Sequence, residues 1–107
     1  MSHPLVSEVQ KRSVTKPVVI YMKGSPQFPM CGFSARAIQV LKAAGASEID
    51  GFDVLSDDPM WEALEEFTKW PTVPQIFIGG KFIGGCDIVT EMYERGELQP
   101  LVSAAQK

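Results

Sequence analysis

Apolar residues recur along this chain in two rhythms, and the changes of rhythm mark out the elements. Pro17-Val-Val-Ile-Tyr-Met22 is an unbroken apolar run rich in β-branched residues, the pattern of a strand buried on both faces. Before it, Leu5, Val6, Val9 and Val14 recur loosely at helical spacing, so a short amphipathic helix is expected over Pro4 to Ser13. After it, Gly24, Ser25, Pro26 and Pro29 impose a loop. Phe33, Ala37, Ile38, Leu41 and Ala44 then form the inner stripe of a helix that begins at Gly32 and stops at Gly45. Glu48 to Val54 is a second strand. Ser56-Asp-Asp-Pro59 supplies cap candidates and a first-turn proline for a helix whose apolar face is Met60, Leu64 and Phe67 and which ends before Pro71. Ile76-Phe-Ile78 and Phe82-Ile83 read as a strand pair turned by Gly79-Gly80, because paired glycines accept the positive φ of a tight hairpin. Asp87 is the expected cap of a last long helix carrying Ile88, Val89, Met92 and Tyr93 to a stop at Gly96, with Leu98 to Ala105 as a short helical tail.

The order is helix, strand, helix, strand, helix, hairpin, helix. A βαβ unit followed by a hairpin and helix predicts an α/β fold, a mixed four-stranded sheet flanked by helices on both faces, the thioredoxin-like arrangement. With 107 residues and no linker or repeat, one domain is expected: residues 1–16 as an N-terminal flank, 17–96 as the core that carries the motifs, 97–107 as a C-terminal tail. A net charge of −3 with scattered basic residues argues against nucleic acid or anionic lipid as a partner. No apolar run approaches the roughly 20 residues of a membrane span, so no membrane association is expected. Two cysteines far apart in sequence suit a reducing compartment.

The chemistry gathers at Lys23-Gly-Ser-Pro-Gln-Phe-Pro-Met-Cys-Gly-Phe-Ser34. Cys31 falls at a helix N-terminus, where unpaired N–H groups and the helix dipole favour thiolate over thiol, and it lies beyond the carboxyl end of the first strand, where open α/β sheets bind ligands. Lys23 can add a nearby charge and hold a ligand carboxylate; otherwise it is a solvated strand end. Phe33 reads as packing by its type alone. Ser34 stands where a Cys-x-x-Cys pair would place its second thiol, and a hydroxyl cannot expel a thiolate by disulfide exchange. That leaves Cys31 a mixed disulfide resolved by an outside thiol, or metal ligation.

Lys23-Gly24, Cys31-Gly32-Phe33-Ser34, Trp70-Pro71-Thr72-Val73-Pro74-Gln75 and Gly84-Gly85-Cys86-Asp87 together closely resemble the monothiol glutaredoxins, over Pro17 to Gly96. The resemblance implies that Val73-Pro74 is a cis peptide, exposing the Val73 backbone to an extended thiol peptide. It implies glutathione lying along Lys23, Gly32, Phe33, Thr72, Val73, Pro74, Gly85, Cys86 and Asp87, with its sulfur beside the catalytic Cys31 and its α-amino group at Asp87. It further implies a homodimer bridged by a 2Fe-2S cluster. One Cys31 from each chain and two glutathione thiolates supply the four sulfur ligands. Implied partners are apo-iron–sulfur acceptor proteins and BolA-like proteins, and the implied location is mitochondrial, or otherwise cytoplasmic or plastid. A glutathione-dependent thiol–disulfide oxidoreductase is the alternative activity.

One departure stands out. Family members usually carry basic residues on the outer turn of the helix before Trp70, where Trp61 and Glu65 stand here. In the family those basic residues hold a glutathione carboxylate, so either Lys23 and backbone groups suffice here, or the preferred thiol lacks that free carboxylate or carries an amine, as trypanothione does. Cys86 could resolve a mixed disulfide, accept glutathione, or sit buried and inert; the last or a minor redox role is favoured. His3 reads as incidental, and Met22, Met30, Met60 and Met92 as packing rather than a copper site.

Overall fold

The computed structural model describes residues 3–107. Its elements are α1 (Val6–Arg12), β1 (Val18–Met22), α2 (Gly32–Ala43), β2 (Ile49–Asp53), α3 (Asp58–Thr68), β3 (Gln75–Ile78), β4 (Lys81–Gly84), α4 (Cys86–Glu94) and α5 (Leu98–Ala105). The sheet runs β2-β1-β3-β4. Strands β1 and β2 are parallel, while β1–β3 and β3–β4 are antiparallel. This is the thioredoxin-like fold that the element order predicts.

All five residues of β1 are fully buried, and their alternation divides the interior in two. Val18, Ile20 and Met22 join Ile76 and Ile78 under α2, α4 and α5, through Ile38, Leu41, Val89, Leu98 and Val102. Val19 and Tyr21 join Phe77 under α1 and α3, through Val9, Met60, Ala63 and Leu64. The continuous apolar run is therefore two half-cores written into one strand. At roughly 1.5–3 kcal/mol for each large side chain buried, β1 tolerates polar substitution poorly at every position. The tail belongs to this interior, since Leu98 and Val102 are fully buried and the Gln106 side chain ties α5 to Ser47 N–H (2.8 Å) and donates to the Gly45 carbonyl (3.0 Å).

Several expectations shift in detail. Asp57 caps α3, its carboxylate accepting from Met60 N–H at 3.2 Å. Asp87 does not cap α4: the cap is Gly85 and the helix begins at Cys86, leaving Asp87 inside the first turn, where its charge still suits the helix dipole. Val14 lies past the end of α1 and is 67% exposed. Phe67 sits at the margin of its helix face, half-covered by stacking on Phe77 with ring centroids 6.3 Å apart. Gly79 and Gly80 both take positive φ, 62° and 80°, as the two-residue hairpin requires. Among the described residues, no helix is long and apolar enough to cross a membrane.

Candidate functional site

The loop from Lys23 to Cys31 is built so that the thiol ends it in a fixed place. Met30 N–H returns to the Lys23 carbonyl at 2.8 Å, and Gly24 bridges to Pro29. Gly24 has φ of 91°, and a Cβ there would stand 2.5 Å from the Phe28 carbonyl oxygen, so only glycine fits. Two ties hold the loop to β2. Gly24 N–H donates to Asp53 Oδ1 at 3.1 Å, and the Pro26 ring lies on Gly51 so closely that a Cβ would come within 2.4 Å of it. The chain then enters α2 with Cys31 as the N-cap residue, in extended conformation.

From that position Cys31 accepts what the helix start offers. Its pKa is lowered chiefly by the Ser34 backbone N–H, against an opposing desolvation, with the Phe33 N–H, the Ser34 hydroxyl and the Lys23 charge adding to the lowering. The thiol is half-buried and so remains open to reagents. Ser34 itself is fully buried, and its Oγ accepts the Lys23 N–H at 3.3 Å. It is a tie between strand end and helix start as well as the residue that replaces a second thiol, a double role that the residue type alone does not reveal.

Cys31 opens on a groove of about 360 Å³. Of the residues singled out in the sequence, Lys23, Phe33, Thr72, Val73, Pro74, Gly85, Cys86 and Asp87 all line it with Cys31. Gly32 does not; it is the exposed first residue of α2, with open space where a Cβ would stand. Phe33 is 62% exposed, a wall of the groove rather than packing. Trp61, Trp70 and Ile88 complete the lining: Trp61 is the departure marked in the sequence, Trp70 heads one of the motifs that carry the resemblance, and Ile88 reads in the sequence only as part of a helix face. Trp61 is legible there as the place of an absent cation, but not as a ring under the Lys23 ammonium.

Val73–Pro74 is cis, and the fully buried Gln75 holds the loop around it. Its Nε2 donates to the Trp70 and Thr72 carbonyls at 2.8 and 2.9 Å, and its Oε1 accepts from the Thr68 hydroxyl at 2.8 Å. Gly85 lets two backbones meet, since a Cβ there would stand 3.2 Å from the Pro74 carbonyl. Cys86 shares the groove but is only 5% exposed; burial pushes its thiol up, and the Thr90 hydroxyl, 4.0 Å from its sulfur, works the other way.

At the α3 end, the Lys23 ammonium lies over the Trp61 ring, 5.7 Å from its centroid. Trp61 is also a wall of an adjoining depression lined by Asp58, Glu62, Glu65 and Pro71. Glu65 thus belongs to the neighbouring depression, outside the thiol groove.

The family Glutaredoxin matches residues 18–83, the span that carries Cys31, the cis-proline loop and the hairpin. The chain belongs to the glutaredoxin family. Glutaredoxin 4 of Escherichia coli (strain K12) is 44% identical over 97 residues, covering 91% of this chain and 84% of the relative. Monothiol glutaredoxin-5, mitochondrial, of Saccharomyces cerevisiae is 45% identical over 92 residues, 84% of this chain and 61% of the relative. A buckwheat glutaredoxin–glutathione complex superposes with a TM-score of 0.82 at 30% identity, covering 94% of this chain and 88% of the other. With Ser34 three residues after Cys31, this glutaredoxin is of the monothiol type.

Proposed function

We propose that this glutaredoxin binds and passes on a 2Fe-2S cluster, held by Cys31 from two copies and by two low-molecular-weight thiols, glutathione or a relative such as trypanothione. The carrying observation is the pairing of an open, acidic Cys31 thiol with a buried Ser34 hydroxyl. The chain offers one ready thiolate and no internal partner to oxidise it at that position. The donor set fits a shared cluster. Among the described residues there is no group of three or more His, Cys, Asp or Glu able to hold a metal, and Cys86 is buried with its thiol pushed up. One chain therefore brings one sulfur, and four ligands require a second chain and outside thiols. The groove supports the same reading by its lining: Thr72, Val73 and Pro74 suit an extended peptide thiol, and Lys23 and Asp87 bring one charge of each sign, suited to a carboxylate and an α-amino group.

The roles that follow are Cys31 as ligand and nucleophile, Lys23 as carboxylate holder, Thr72, Val73, Pro74, Gly85 and Cys86 as walls, and Phe33 as a lip. Gly32 contributes through the helix start. The proposed partners are a second copy, apo-iron–sulfur acceptors and BolA-like proteins. The name of the Saccharomyces relative favours a mitochondrial setting, with a cytoplasmic one as the alternative that the Escherichia coli relative supports.

Anaerobic reconstitution with iron, sulfide and glutathione is expected to give a coloured dimer by absorption and size measurement, and Cys31→Ala to give none. A cluster retained by Cys31→Ala would overturn the reading. The accessibility of Cys31 favours a second reading, glutathione-dependent reduction of mixed disulfides by the monothiol route. Rapid turnover of a glutathionylated substrate by the cluster-free monomer, without cluster transfer, would select it instead.

A further inference from the structure

We infer that Trp61 is a positioning residue for the thiol groove: it holds the Lys23 ammonium on its ring face and walls it off from the carboxylates of α3. The inference rests on the reading of the groove as a tripeptide-thiol site. Two observations carry it. The Lys23 Nζ stands 5.7 Å from the Trp61 ring centroid, inside the roughly 6 Å range in which a cation is drawn to an aromatic face. Trp61 is also the wall shared by the groove and by the depression that holds Asp58, Glu62 and Glu65. Among the described residues Lys23 makes no salt bridge, although three carboxylates border the next depression.

A lysine stem is flexible enough to swing toward such carboxylates. An ammonium paired with one of them is a poorer partner for a ligand anion. An aromatic face holds the ammonium without neutralising it and leaves its N–H donors for a third party. With the α-amino end of a tripeptide thiol at Asp87, the carboxylate at the other end meets Lys23. Trp61 thereby sets how strongly the groove distinguishes a charged carboxylate from a masked one, although it donates nothing to the ligand itself.

The test compares two disulfides, that of glutathione and that of its glycine ethyl ester. In each case the Cys31 thiolate attacks one sulfur, forming a mixed disulfide and releasing one thiolate. Peptide mass spectrometry of the cluster-free protein at equilibrium gives the two exchange constants at Cys31, separately from Cys86. Their ratio cancels any change in Cys31 acidity. The native protein is expected to favour the free acid by about tenfold, as for a hydrogen bond to a charged group. Trp61→Leu, which keeps apolar bulk without a π face, is expected to bring the ratio near one, and Trp61→Phe to retain most of it. Adding Glu62→Gln and Glu65→Gln to Trp61→Leu is expected to restore part of the preference. A ratio unchanged in folded Trp61→Leu, or equally lost in Trp61→Phe, would overturn the assignment. Because the assay needs no cluster, a protein that fails to assemble one can still pass it.

Discussion

Both cysteines lie at helix N-termini, both line one groove, and they are in opposite states. Cys31 is the N-cap of α2 and Cys86 the first residue of α4. Cys31 stands just outside its helix, where the N–H groups of Phe33 and Ser34 face its sulfur, and its pKa is lowered, chiefly by the Ser34 N–H. Cys86 stands one step inside, is nearly sealed from solvent, and its pKa is raised by that burial. The helix dipole is common to both and so does not decide between them. What decides is whether the sulfur sits where the free N–H groups point, and whether water reaches it.

The largest expected effect is on reactivity. At pH 7, iodoacetamide should label Cys31 at least about 100-fold faster than Cys86, because alkylation follows thiolate fraction and access. Equal rates in the folded protein, read by peptide mass spectrometry, would erase the contrast. Next comes Ser34→Ala, which strands the Lys23 N–H and removes a hydroxyl from beside the thiol. It should cost about 1–3 kcal/mol in chemical denaturation, as for an unsatisfied buried donor, and should shift the pH midpoint of Cys31 labelling upward. A variant with unaltered stability and midpoint would reduce Ser34 to a space-filler.

The smallest effect separates the thiols by sign. The folded pKa of Cys31 is lowered, so the unfolded chain binds more protons between the two values, and stability rises with pH through that window and is lost as pH falls through the folded pKa. The folded pKa of Cys86 is raised, so its contribution is intact below the unfolded value, near 8.5, and is lost as pH rises toward the folded value. Tyr21, pushed up to about 12 by burial, adds in the same direction at higher pH. Denaturation of Cys31→Ala and Cys86→Ala from pH 6 to 9.5 should remove the rising part of the curve in the first and the falling part in the second. Curves displaced alike by both substitutions would remove the distinction.

Much of this was legible in the sequence where residue type and local spacing act together. The five apolar residues of β1, the Gly79-Gly80 turn, the Asp57 cap and the motif residues around Cys31 all act on near neighbours. The misses lie where distant segments meet. Asp87 has the composition of a cap, yet Gly85 precedes it because the hairpin delivers its backbone against Pro74. Phe33 looks like core, but the loop ahead of it turns its helix start outward. Trp61 reads as a missing cation until the end of β1 brings Lys23 onto its ring. Ser34 shows its hydroxyl in the sequence but not the Lys23 N–H, eleven residues earlier, that it accepts.

The sheet ends on β2 and β4, and each margin is unfit for adding another strand. β2 carries Asp50 and Asp53, whose carboxylates already serve Thr15 and Gly24, and Pro26 covers its glycine. β4 is four residues long, opens on exposed Lys81, and is shifted in register between Ile76 and Phe77. Charge, brevity and irregularity at such borders discourage chains from zipping together along their backbones. Both borders of the sheet are thereby closed to backbone pairing between copies of this protein, the kind of contact that would propagate without limit.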